Sequence, residues 1–160
     1  MILLKHKLPD TGDLVIWNWT KGKATLKADF GDPLTDTSYM LCVYEETGGV
    51  SNLRVTAHIP AGDTCTGRPC WKMSTRGFTY LDKEATPQGV IKLALKEGYD
   101  GIAKIALKAK GANIDMPGLP LAENARVTVQ LKSGSGLCWD AEYSAPALKN
   151  DQVQFRDKSD

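Results

Sequence analysis

The side chains able to do chemistry are few and scattered. Two histidines, His6 in the leading segment and His58 inside an alternating run, leave no material for a Ser-His-Asp triad or a His-rich metal site. Ser135 sits in Gly134-Ser135-Gly136, which lacks the G-x-S-x-G form of a nucleophile elbow and reads as a turn. Asp140 and Glu142 are the one carboxylate pair suited to acid–base work. At i and i+2 they point to the same side of a strand, a spacing that fits a glycosidase pair loosely and a solvated face better. Acidic residues in 29–36 and at Asp100 offer oxygen ligands for calcium, but no D-x-D-x-D-G loop occurs. Ordinary turn chemistry accounts for Asp32 and Asp100. Neither a metal nor a cofactor is expected.

Four cysteines, Cys42, Cys65, Cys70 and Cys138, form an even set in a β-rich chain, which favours two disulfides and an oxidising compartment. Buried free thiols in a reducing compartment are the alternative. A four-cysteine zinc site fits poorly, because only Cys65 and Cys70 are close in sequence and zinc sites usually offer two short knuckles. Cys65 with Cys70 closes a short loop before Trp71, and that pairing leaves Cys42 to bridge to Cys138.

Two sets of residues could bind rather than react. Trp17, Trp19, Trp71 and Trp139, with Tyr80, Tyr99 and Tyr143, supply flat rings of the kind sugar-binding sandwiches expose, although rings at alternating inward positions are more often core. Trp17 and Trp19 share one face, so both are expected buried or both exposed; exposed, they form a glycan platform. Lys92, Lys96, Lys104 and Lys108 form a patch on the outside of a hairpin, where like charges stand opposite each other at a cost in stability. An anionic surface would offset that cost. A bland alternative is that the lysines keep an exposed sheet face soluble.

The stretch 91–109 positions those lysines. Ile91, Leu93 and Leu95 alternate with Lys92 and Lys96, and Ala103, Ile105 and Leu107 alternate with Lys104 and Lys108, around a Gly-Tyr-Asp-Gly turn signal. An even loop would set each lysine across from an apolar residue, so the loop is odd. A three-residue loop, Tyr99 to Gly101 with Gly101 left-handed, places Leu95 beside Ile105 and Leu93 beside Leu107.

Further strands are expected at 14–19, 24–30, 39–45, 53–59, 126–132, 137–143 and 153–156, with short strands and a stapled corner over 65–80. In 53–59 the inward residues are Leu53, Val55, Ala57 and Ile59; in 24–30 they are Ala24, Leu26, Ala28 and Phe30; 39–45 is apolar on both faces. The segment 112–123, with Pro117, Gly118 and Pro120, cannot continue a central strand. Turn signals are frequent and no helical period runs for ten residues. The expectation is an all-β single domain over 1–160, an antiparallel two-sheet β-sandwich of about nine or ten strands, jelly-roll or Greek-key like.

Composition narrows the partners. With 20 Lys and Arg against 19 Asp and Glu, the net charge of +1 gives no global field for nucleic acid. No apolar run approaches the roughly 18 residues of a membrane span, and the apolar part of Met1 to Lys7 is too short for a signal peptide.

The segments LCVYE (41–45), CWK (70–72), GFTYLDK (77–83), KAKGANI (108–114), VTVQL (127–131), CWDAEYS (138–144) and FRDKSD (155–160) resemble a family of bacterial extracellular β-domains from deltaproteobacterial and metagenomic sequences. The likeness covers roughly three-quarters of the chain, and the family has no assigned activity. It implies a secreted protein whose four cysteines pair. The expected function is a non-catalytic extracellular module for binding or structural assembly, recognising a glycan or anionic surface or associating with itself. A secreted hydrolase acting through carboxylates and an accessory domain of a larger secreted protein are the alternatives.

Overall fold

In a computed structural model, which describes residues 1–122 and 126–160, the chain is all-β with antiparallel sheets. The first four long-range strands are β1 (Ile2–Lys5), β2 (Leu14–Gly22), β3 (Tyr39–Thr47) and β4 (Val50–Ile59). Two-residue β5 (Thr64–Cys65) and β6 (Arg68–Pro69) precede β7 (Trp71–Ser74) and β8 (Gly77–Leu81). The central hairpin is β9 (Val90–Lys96) and β10 (Ala103–Lys110). The chain then runs through β11 (Arg126–Ser133), β12 (Cys138–Ser144), β13 (Lys149–Asn150) and β14 (Gln154–Asp157). These are fourteen strands among the described residues, more than the nine or ten expected. The difference comes from β1, hidden in a segment too short to show a period, and from the two-residue pairs.

Eight strands form one sheet in the order β13-β14-β1-β2-β10-β9-β8-β7, four form a second in the order β12-β11-β3-β4, and β5-β6 make a small ladder. β1 lies between β2 and β14, so that Ile2 is opposite both Trp17 and Asp157. Inward side chains of both larger sheets belong to one buried cluster, which includes Leu4, Val15, Leu41, Leu93, Ile105, Val129 and Phe155. Side chains tie the sheets to each other and to the 3-10 turn at 27–30. Trp17 Nε1 donates to Tyr143 Oη at 3.0 Å, the Tyr39 and Trp71 rings lie 5.6 Å apart, and Phe30 lies 5.1 Å from Trp139.

The hairpin register agrees with the alternation: Leu95 faces Ile105, Leu93 faces Leu107, Lys96 faces Lys104 and Lys92 faces Lys108. Gly101 is left-handed at φ +77. The three-residue loop is not formed. Gly98 turns away to make a two-way backbone bridge with Thr25 (both 3.0 Å), and pairing stops at Lys96 and Lys104, which leaves a seven-residue connection of the same odd parity. At the other end a bulge sets Ala109 opposite Val90, so Val90 rather than Ile91 takes the buried position.

Other differences have local causes. Residues 24–30 are not a strand; Lys27–Phe30 is a 3-10 turn, because the Asp29 carboxylate takes the Leu26 N–H at 2.7 Å and offers the backbone a local partner. Leu26 is 66% exposed, and of the four expected inward residues only Phe30 is buried. In β4 a bulge at Arg54 shifts the register between Val43 and Tyr44, which turns Leu53 outward. β3 is an interior strand, with Tyr39, Leu41 and Val43 buried but Met40 exposed on its other side. The irregular segment is strand-free over 112–122; Glu123 lies outside the described residues.

Cys65 and Cys70 form the disulfide that closes the corner before Trp71. Cys42 and Cys138 are not bridged, and this corrects the expected second pairing. They stand on the same outer face of the four-stranded sheet, but β11 runs between their strands, with Cys42 opposite Gln130 and Cys138 opposite Lys132. Two strand spacings of about 4.8 Å put the two chains beyond the Cα separation a disulfide can span.

Candidate functional site

An open cleft of about 740 Å³ lies where the end of β2 faces β12. Its construction starts at a bulge. Between Trp19 and Gly22 β2 carries one residue more than β10, and Lys21 takes φ +58 to absorb it. Trp19, still in register opposite Ile105 where the regular pairing stops, packs against the margin of the core that holds Trp17 and is only partly buried. Its indole folds back over Gly22, so closely that a Cβ at Gly22 would stand 2.0 Å from the ring. Trp19 Nε1 donates to the Asp140 carbonyl oxygen at 2.9 Å, tying the ring to the opposite wall.

The floor is rigid. Trp139 is buried against Phe30, and its Nε1 donates to Thr25 Oγ1 at 3.3 Å; Thr25 is itself buried and fixed by its bridge to Gly98. A third wall is the segment at Ser159 and Asp160, laid along β12 by a bond from Asp160 N to the Glu142 carbonyl oxygen at 3.2 Å. Asp160 accepts from Ser144 Oγ at 2.7 Å and Ser144 N at 3.1 Å, and these donors hold its carboxyl below the usual carboxylate range. Glu142 pairs with Arg126 at 2.9 Å, and Asp29 caps Leu26. Lys21, Lys23 and the Asp140 carboxylate line the cleft with no ion pair among the described residues. Cys138 also faces it, its thiol pushed up by desolvation and then by Asp140.

The two tryptophans therefore part company. Trp17 has 0% exposure and cannot present its ring to a ligand, whereas Trp19 is half-buried and lines the cleft. Strand alternation alone could not separate them, because the bulge lies beyond Trp19. The signal that could have is the Thr20-Lys21-Gly22 run, where a glycine ends an otherwise bulky strand. Lys92, Lys96, Lys104 and Lys108 are all exposed on the outer face of β9 and β10, away from the cleft lining.

A second cluster escaped the sequence reading. His6 Nδ1 lies 3.1 Å from Asp13 Oδ1, and Asp10 completes a group of ligating atoms within 4.8 Å of one another. Asp13 is buried and also accepts the Lys7 N–H at 2.8 Å, so these residues lock the turn between β1 and β2. In the 29–36 loop, Asp32 Oδ1 accepts from Leu34 N and its carbonyl oxygen from Thr35, Asp36 and Thr37, which is turn chemistry. Among the described residues no helix is long and apolar enough to cross a membrane. No family model, curated protein or solved structure matches the chain.

Proposed function

We infer that the chain is a non-catalytic binding module of the cell exterior, a two-sheet β-sandwich with jelly-roll or Greek-key connections, that holds a neutral saccharide in the cleft between β2 and β12. The observation that carries this reading is the Trp19 indole, braced against Gly22 from behind and by Asp140 at its edge, in a cleft of ligand size. A ring fixed before the ligand arrives offers stacking area without an ordering cost. Lys21, Lys23 and Asp140 supply donors and acceptors for hydroxyl groups around it.

The same cleft is poorly equipped for hydrolysis. Glu142 is held by Arg126, and Asp160, kept ionised by the Ser144 donors, is displaced the wrong way for a general acid at neutral pH. The Cys65–Cys70 disulfide is compatible with export to an oxidising compartment, as the family resemblance implies.

Titration of neutral oligosaccharides, followed by indole fluorescence and calorimetry, tests the assignment. Trp19→Ala should weaken binding about tenfold or more, and Gly22→Ala should do the same by displacing the ring. Binding that survives both substitutions, or a screen in which no neutral saccharide binds, rejects the reading.

Self-association is the second reading, favoured by β4, an edge strand of ten residues that exposes Val50 and Leu53. The bulge at Arg54 works against edge-to-edge pairing. A concentration-dependent molecular mass abolished by Leu53→Lys would favour assembly.

A further inference from the structure

The four hairpin lysines belong to a larger surface that only the strand order reveals. Residues paired in register share a face, so the outward side of the eight-stranded sheet can be read across its strands. One register row runs Lys92, Lys108, Ile16, Leu3, Arg156, Lys149. It carries four cations over about 24 Å at roughly 4.8 Å per strand. Parallel rows add Lys96 beside Lys104, and Lys110 and Lys5 on either side of Leu14. Lys72 joins through Thr79, Ala94 and Ala106. These are nine Lys and Arg, and the outward strand positions of the sheet hold no Asp or Glu. Asp157, the one acidic strand residue of this sheet, faces Ile2 and is buried. Only Lys149 has an ion pair among the described residues, with Asp151 at 3.2 Å.

A chain of net charge +1 has thus sorted its charges. Nine of 20 basic residues stand on one face, and the rest of the chain is left with eleven against 19 carboxylates, of which Asp13, Glu45, Asp82 and Asp157 are buried. A solubilising face needs interspersed signs, which lower self-repulsion, so single-sign segregation is the pattern of a surface that meets opposite charge. We propose that the outer face of the eight-stranded sheet is a docking surface for a linear acidic polysaccharide carrying sulfate or carboxylate groups.

Three features favour that polymer over other polyanions. No aromatic side chain occupies an outward position on the sheet, so stacking on nucleobases has no platform. Leu3, Leu14 and Ile16 are half-buried among their neighbours, and Leu81, opposite Lys92, is the one exposed large apolar side chain at an outward strand position of this sheet among the described residues, too little apolar surface to seat the face in a bilayer. Twist of roughly 20° per strand pair turns the face through about 140° from β13 to β7. Such a saddle touches a flat membrane over part of its area, while a flexible chain can follow the rows.

This surface is separate from the cleft, and the experiment keeps them apart. The purified protein is titrated at low salt against dextran sulfate, polygalacturonate, uncharged dextran, duplex DNA and phosphatidylserine vesicles. Expected is binding to both acidic polysaccharides, with affinity falling steeply as salt rises, and none of dextran to this face, so that any dextran signal is insensitive to salt and lost in Trp19→Ala. Lys92→Ser with Lys108→Ser should weaken it roughly thirtyfold, at about fivefold per lysine. Lys83→Ser with Lys132→Ser removes the same charge elsewhere and should leave it nearly unchanged. Trp19→Ala should also leave it unchanged. The far-ultraviolet spectrum and melting temperature report that each variant folds; should the paired serines unfold the protein, Lys92→Gln with Lys104→Gln replaces them. Equal losses in the two lysine pairs would mean net charge alone binds. That result, failure to bind either acidic polysaccharide, or tighter binding to vesicles or DNA overturns the proposal.

Discussion

Tyr143 shows how much one hydroxyl holds together. Its Oη is the acceptor for the fully buried Trp17 indole across the two sheets, so Tyr143→Phe strands a buried N–H donor. That change should cost about 1–3 kcal/mol in denaturant unfolding. Burial raises the phenols of Tyr39, Tyr80 and Tyr143; Tyr80 is pushed up to about 12 by burial, then by Asp82 and Asp63. A folded pKa above the unfolded one contributes stability that is complete below about pH 10 and is lost as pH rises toward the folded value. Denaturation midpoints for the wild type should therefore fall between pH 10 and pH 12, and fall less in Tyr80→Phe. A flat profile over that range contradicts the assignment. The unbridged cysteines give a sharper readout. Cys138 is exposed and should alkylate in the native protein, Cys42 is buried and should react only on unfolding, and Cys65 and Cys70 should need a reductant. Peptide mapping after brief alkylation separates the three classes.

At the scale of the strand pair, the lysine hairpin carries an internal cost. Lys92 faces Lys108 with no acidic strand residue beside them on the sheet's outer face, so Lys92→Glu converts a repulsive cross-strand pair into an attractive one. Stability should rise by about 0.2–1 kcal/mol at low salt, and the gain should vanish in 1 M salt. The hairpin was also the element most legible in the sequence. Two runs of strict alternation left one register compatible with burial, and the parity of the loop followed. What failed lay where a local competitor intervened: Gly98 recruited by Thr25, the Asp29 carboxylate capturing Leu26, and bulges at Arg54 and beside Lys21. The bulges insert one residue into a period of two, and the two local partners take their residues out of a strand altogether; alternation read along one strand has no means of registering either.

Across the whole molecule, strand order carries what the sequence could not. Cys42 and Cys138 are each in a strand, as expected, yet β11 separates them, and no spacing in the sequence encodes which strands are neighbours. The same ignorance concealed the site. Trp19 and Asp140 meet across 121 residues, and Lys5, Lys149 and Arg156 join the hairpin lysines only because β14, β1 and β2 lie in that sequence in the sheet. β1 and β14 have a further consequence, in how the fold bears load. Ile2 lies directly opposite Asp157 and the two strands run antiparallel, so tension applied at Met1 and Asp160, once it has parted the bonds of Met1 to Asn18 and of Asp160 to Glu142 and Ser144, falls on that one rung. The ladder then opens like a zipper, one bond pair after another, instead of resisting in shear along its length. Pulled between Ile2 and Asp157, the ladder should yield at low force; held at one of the two points alone, it would never feel that load.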